Sequence, residues 1–132
     1  MPIFTDEAQL YEALDDLFTQ LREQYPPSVN KLLRSRLLIV FQCSGPTASV
    51  VIDARQRPLD IRFGTNATRP TLDIQLSTDT LHAIMLGQTS LKKALGQRQV
   101  VVKGPILKTM ALSDLFSQIQ QVYPQIAREH GL

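Results

Sequence analysis

Apolar residues at Leu10, Leu14, Leu17, Phe18, Leu21 and Tyr25 recur at intervals of four, three, one, three and four, which is one stripe along an α-helix. The stripe predicts a helix over residues 6–24. Thr5 is placed to cap it, and Asp6 and Glu7 put negative charge where the helix dipole is positive. Pro26 and Pro27 stop it, and residues 28–34 suit one further helical stretch. The period then changes to two. Residues 36–43 and 47–54 are β-branched or apolar runs divided by the turn residues Ser44, Gly45 and Pro46. Leu59, Ile61 and Phe63 alternate with Asp60 and Arg62, and Leu72, Ile74 and Leu76 alternate with Asp73 and Gln75. Alternation of this kind describes strands with one buried face, and residues 64–70 read as the loop between these two.

Helical spacing returns at Leu81, Ile84 and Met85, with Ser77 or Thr78 as cap and Gly87 as stop. Ser90 and Gly96 bracket a shorter helix holding Leu91, Ala94 and Leu95, and residues 99–103 form a short strand closed by Gly104. Beyond Pro105, apolar residues recur from Leu107 to Tyr123; Ser113 and Asp114 are expected to split this stretch into two helices, and Pro124 to kink its end. The order reads helix, three strands, a fourth strand, helices, strand and helices, with a sheet that begins in antiparallel hairpins. Ile39, Phe41, Val50, Ile52, Ile61, Phe63, Ile74, Leu76, Val100 and Val102 are expected to face inward. A helical set of Leu81, Ile84, Met85, Leu91, Leu95, Ile106, Met110 and Leu115 would cover them. Periodicity does not distinguish a solid layer from a hollow one.

Length and composition narrow this picture. A chain of 132 residues, 43% hydrophobic and 20% charged, suits one domain spanning residues 1–132 with a core of its own. The longest apolar run, residues 37–41, is far short of the roughly 20 residues that span a membrane, and no secretory pattern follows Met1. The single cysteine, Cys43, excludes an internal disulfide and suits a cytoplasmic protein.

Net charge is only +2, yet the signs are segregated. Asp6, Glu7, Glu12, Asp15, Asp16 and Glu23 face a lone Arg22 before residue 31. From there to residue 69, Lys31, Arg34, Arg36, Arg55, Arg57, Arg62 and Arg69 stand against Asp53 and Asp60. This is either a basic surface for anionic lipid headgroups or an acidic partner, or a solvated sheet edge. Nucleic acid is not expected. The only aromatics in the basic stretch are Phe41 and Phe63, both in strands, and the chain has no Trp.

Catalytic chemistry is scarce. His82 lies in a predicted helix and His130 near the C-terminus, and one cysteine with two scattered histidines does not make a zinc site. No nucleophile elbow, phosphate loop or dinucleotide fingerprint occurs. Cys43 reads as an inert core thiol, and Asp53 and Asp73 as outward strand residues. No enzyme activity, metal or cofactor is expected.

One longer pattern has a likeness. Leu72 to Ser77 leads into Leu81-His82-Ala83-Ile84-Met85-Leu86-Gly87, then Ser90-Leu91-Lys92-Lys93-Ala94-Leu95-Gly96, then Val100-Val101-Val102-Lys103-Gly104, then Ile106-Leu107-Lys108 and Met110. This series resembles the sterol carrier protein type-two domain family, in which a strand ending in Ser or Thr precedes a helix, a glycine, a small helix with an alanine and a strand ending in glycine. The resemblance implies an α+β fold, a twisted five-stranded sheet with three antiparallel-type strands first, covered by helices. It also implies an apolar tunnel for a sterol, fatty acid or acyl thioester, without cofactor chemistry. Positions matching the tunnel side are Ile74, Leu76, Leu81, Ile84, Val102, Ile106 and Met110. The expected function is non-enzymatic lipid binding and transfer, with transient contact to anionic membranes. The alternatives are presentation of an apolar metabolite such as a quinone precursor to partner enzymes, or a homodimerising interaction module with a filled tunnel. Glu129-His130-Gly131-Leu132 is not the Ser-Lys-Leu peroxisomal signal, which favours the cytoplasm.

Overall fold

The computed structural model describes residues 2–132. The first helix, α1 (Glu7–Gln24), buries Leu10, Leu14, Leu17, Phe18 and Leu21, the stripe that predicts it. Its cap is Asp6 rather than Thr5. The Gln9 amide donates to the Asp6 carboxylate at 3.0 Å, while the Thr5 amide donates to the Gln9 side-chain oxygen at 2.9 Å. The short Asp carboxylate reaches the exposed amides of the first turn, leaving Thr5 one residue outside. Pro26 and Pro27 end α1 and also begin α2 (Pro26–Ser35), because the first turn of a helix needs no amide donor.

Five strands follow in the chain: β1 (Leu38–Ser44), β2 (Ala48–Asp53), β3 (Asp60–Phe63), β4 (Leu72–Ser77) and β5 (Val100–Lys103). Across the sheet their order is β3-β2-β1-β4-β5. The β1-β2 and β2-β3 pairs are antiparallel hairpins, as expected. β2 occupies one edge of β1, so β4 takes the other, in parallel, and β5 pairs antiparallel outside it. Between the last strands lie α3 (Thr78–Leu86), capped by the Ser77 hydroxyl, and α4 (Leu91–Gly96), capped by Ser90.

The chain ends in α5 (Met110–Glu129), one helix and not two. Ser113 and Asp114 do not break it. Both lie on its exposed face, and Asp114 forms an ion pair with Lys31 of α2. Pro124 lies inside the helix, whose packing against α1, α2 and α3 outweighs the missing amide.

One hydrophobic cluster runs from Phe4 through all five helices to the inner sheet face, where Ile39, Phe41, Val50, Ile52, Leu72, Ile74, Leu76 and Val100 are buried. Ile61, Phe63, Leu95 and Val102 are partly buried at its margin. Ile106 and Met110, expected to cover this face, are instead 57% and 68% exposed. The cause lies at Gly104, whose φ of +128° and approach to the Thr71 carbonyl leave no room for a side chain: an added Cβ would stand 2.3 Å from that oxygen. The chain leaves β5 there, makes a 3-10 turn at Ile106–Thr109, touches the core again at Ala111 and is first fully buried at Leu112. On the outer face, Leu38, Val40 and Val51 form a small second cluster against Ala67 of the β3-β4 loop. Among the described residues no helix is long and apolar enough to cross a membrane.

Candidate functional site

Four elements converge on one wholly apolar space. Leu14, Leu17 and Phe18 of α1 meet Leu81 and Met85 of α3 and Leu115, Phe116 and Ile119 of α5, over Phe41, Val50 and Ile52 of the sheet. The helical spacing that makes α1 and α5 amphipathic brings these residues to one point, and Phe116 stands edge-on to Phe41 with centroids 6.2 Å apart. The space left among them is about 20 Å³. That volume holds one water at most, and an apolar lining gives a water no partner. The side chains therefore nearly close the layer, and the tunnel implied by the resemblance is not open in this structure.

Of the seven residues expected to line a tunnel, the structure brings Leu81 to this space. Ile74, Leu76 and Ile84 are buried in the surrounding core, Val102 is half-buried near the sheet edge, and Ile106 and Met110 stand at the surface. The contribution of α1 is absent from that set, because the residues that carry the resemblance begin at Leu72. Its signal was nonetheless in the chain, as the Leu14, Leu17 and Phe18 part of the first helical stripe.

The helices over the space are tied together by polar contacts at its margin. His82 of α3 and Tyr123 of α5 share a 2.7 Å hydrogen bond between Nδ1 and the phenolic oxygen, with both residues buried. Phe4 packs edge-on against the imidazole at 5.4 Å. Burial pushes the His82 pKa down, against the pull of Asp79, and it pushes the Tyr123 hydroxyl far up. Gln120 of α5 donates to the Ile84 carbonyl at 3.2 Å. At the opposite margin, the Tyr11 hydroxyl accepts from the Ser49 amide at 3.1 Å and the ring stacks on Phe63.

Other candidate chemistry is quiet. Cys43 is buried, and burial raises its pKa to about 11 although a hydrogen bond with Thr78 offsets part of the rise. Such a thiol is a poor nucleophile at neutral pH. Asp53 binds Arg55 and Arg62, and Asp73 accepts from Gln42 at 3.0 Å; both lie on the outer face, with backbones on different strands. Among the described residues no group of three His, Cys, Asp or Glu side chains is placed to hold a metal.

The chain thus forms an α+β domain in which an apolar layer fills the space between a five-stranded sheet and its helical cover. The family model described as the SCP-2 sterol transfer family matches residues 18–117. The chain belongs to that family. A comparison with curated proteins returned no match. Among solved structures, sterol carrier protein domain 2 of Helicoverpa armigera is similar with a TM-score of 0.69 and 17% identity, covering 92% of this chain and 95% of that one. The apo form of sterol carrier protein 2 from Yarrowia lipolytica has a TM-score of 0.66 and 16% identity, over 89% and 95% of the two chains. A palmitated sterol carrier protein 2-like protein from Aedes aegypti has a TM-score of 0.56 and 15% identity, over 79% and 90%. At these identities the structures show a shared fold.

Proposed function

We propose that this protein is a non-enzymatic carrier that takes a fatty acyl chain or sterol between its sheet and its helices. The observation that carries this reading is the junction of α1, α3, α5 and the sheet, where eleven side chains meet and every one is apolar. Membership of the sterol transfer family and the likeness to a palmitated relative support the ligand class.

A nearly closed empty state fits this role energetically. Ligand pockets start at about 300 Å³, and keeping that much apolar space empty would cost about 7 kcal/mol at roughly 24 cal/mol per Å³. Domains have only about 5–15 kcal/mol of stability to lose, so an unoccupied carrier closes by moving side chains and helices inward. A guest reverses the balance. Burying about twelve methylenes contributes on the order of 10 kcal/mol, enough to offset the parting of the helices. Met85, unbranched and 1% exposed, can repack around guests of different shape. The guest would touch Leu81 directly and reach Ile74, Leu76 and Ile84 as the layer widens, with Val102 at the rim and Ile106 and Met110 outside. The reading is thus of transfer without bond chemistry, in the cytoplasm.

The test is direct. Organic extraction of freshly purified protein followed by mass measurement identifies a resident guest, and a fluorescent fatty acid gives its affinity. Ile119→Trp, which fills the remaining space, is expected to weaken fatty-acid binding at least tenfold. Met110→Trp, at the surface, should leave it unchanged. Wild-type protein that yields no apolar molecule and binds no fluorescent fatty acid overturns the proposal. An extract dominated by a prenylated aromatic would assign the carrier to presentation of a quinone precursor.

A further inference from the structure

The sheet has two edges, β3 and β5, and they are finished differently. At the β3 edge, Pro58 precedes the strand, and Asp60 and Arg62 form an ion pair along it at 3.6 Å. Proline and alternating charge of this kind keep an edge from pairing with another chain. The β5 edge has no proline and no such alternation. Its residues are Val100, Val101, Val102 and Lys103, which pair on one side with Leu76, Gln75, Ile74 and Asp73 of β4. Among the described residues no further hydrogen bond reaches these four. Half of their amides and carbonyls therefore point away from the sheet without a partner. Val101 is 51% exposed, and Gln99 and Lys103 on either side of it are exposed as well. Just beyond Gly104, the exposed Ile106 and Leu107 continue the apolar surface past the end of the strand.

The charge around this edge has one sign. From Thr80 to Ser113 the chain holds Lys92, Lys93, Arg98, Lys103 and Lys108 and no carboxylate. Among the described residues none of the five forms a salt bridge. Two carboxylates lie close by and are engaged. Asp73, across from Lys103, accepts from the Gln42 side-chain amide at 3.0 Å through both oxygens. Asp79, which shares an open cleft with Lys93, Gln97 and Gln99, accepts from the Ile3 amide at 3.0 Å.

Arg98 stands at the entry to β5 in a conformation that favours glycine. α4 closes with the Gln99 amide donating to the Ala94 carbonyl at 2.9 Å and the Arg98 amide donating to the Leu95 carbonyl at 3.1 Å. That pair of bonds requires a left-handed residue between helix and strand, a place glycine usually fills; here Arg98 fills it at φ 61°. A guanidinium is thus held beside the free edge at a conformational cost.

We infer that the β5 edge takes an extended segment of a partner protein as a sixth strand, and that this segment is apolar at its centre and acidic at both flanks. The unpaired backbone groups of β5 supply the ladder, and Val101 and Leu107 meet the apolar centre. Arg98 and Lys103 bracket the strand about 17 Å apart and select the acidic flanks. A second copy of the chain fits poorly. Two β5 edges paired antiparallel about Val101 would set Lys103 of each beside Gln99 and Arg98 of the other, cation against cation. The carriage of a guest plays no part in this inference.

Fluorescence anisotropy with the full chain tests it. The probe is a labelled peptide of alternating valine and threonine with a pair of aspartates at each end. It should bind at least about tenfold more tightly than the same peptide flanked by lysines, loosen as salt rises, and fail to bind when its central amides are N-methylated. Amide exchange should slow across Val100–Lys103 on binding and stay unchanged across Asp60–Phe63. Arg98→Gly relieves the backbone, so it should fold at least as well as wild type and yet bind the peptide about threefold more weakly. Lys103→Gln, at an exposed site, should lose a similar factor. Equal affinity for the acidic and lysine-flanked peptides overturns the inference, as does the absence of binding at millimolar peptide. So does a protein that dimerises alone and protects its β5 amides in doing so, which would assign the edge to a second copy.

Discussion

The two faces of the sheet are built from the same strands and do different work. On the inner face, Ile39, Phe41, Val50, Ile52, Leu72 and Ile74 join a continuous core under α1, α3 and α5. On the outer face, Leu38, Val40 and Val51 form a three-residue island beneath Ala67. Beyond that island the outer surface is polar or exposed: Gln42 binds Asp73, Arg62 reaches Asp53, and Val101 is 51% exposed. The inner face can exchange one hydrocarbon contact for another, because its neighbours are hydrocarbon throughout. The outer face depends on specific hydrogen bonds and offers an apolar guest no comparable layer.

Truncation should separate the faces most strongly. Phe41→Ala removes a ring 3% exposed that touches both Phe116 and the central space, and it is expected to cost about 3–5 kcal/mol in urea unfolding. The enlarged space should also make stability responsive to added fatty acid, which would recover part of the loss. Leu38→Ala, three residues away on the same strand and pointing to the other face, should cost about 2 kcal/mol and show no such recovery. Equal recovery by fatty acid in the two variants would erase the distinction between the faces.

Much of this contrast was legible in the chain. Alternation at Leu72, Ile74 and Leu76 marked a half-buried strand, whereas the unbroken run from Leu37 to Phe41 reflects a central strand covered on both sides. The antiparallel hairpins could be read from their turn residues. The parallel pairing of β1 with β4 could not, because it depends on which edge of β1 remains free after β2 has paired. The apolar layer was legible as a set of faces, but its volume was not. Spacing shows which way Leu14, Leu81 and Leu115 point, and closure to about 20 Å³ depends on how far the helices settle. Ile106 and Met110 fit a helical period and still lie outside, because the turn at Gly104 precedes them.

The polar ties of the inner face give a smaller effect. Tyr123→Phe keeps the ring and removes only the hydroxyl, leaving His82 Nδ1 buried without its partner. The expected cost is about 1–2 kcal/mol, read as a lower urea midpoint at neutral pH. Because the contact joins α3 to α5 at the edge of the apolar layer, the variant should also release a bound fluorescent fatty acid faster. Unchanged release alongside lower stability would mean that the tie holds the fold without controlling access.

Acid should act on the two faces in separate ranges, though with the smallest effect of the set. His82 is held neutral by burial, so its folded pKa lies below the ordinary value of about 6.5. The unfolded chain therefore takes up a proton first as pH falls, and the stability that His82 contributes is complete above about 6.5 and is lost as pH drops through the folded pKa. Asp53 also has a lowered pKa, chiefly from the hydrogen bond donated by Arg55, with Arg62 adding attraction. Its contribution is complete above the ordinary carboxylate value of about 3.9 and disappears only below it. The inner face should thus weaken first, in mildly acidic solution, while the outer carboxylate holds its arginines until far stronger acid. Urea midpoints measured across this range should show the earlier decline flattened by His82→Phe and the later one flattened by Asp53→Asn. If His82→Phe leaves the whole profile between about pH 7 and 5 unchanged, the imidazole is not the group that couples the helical cover to protons.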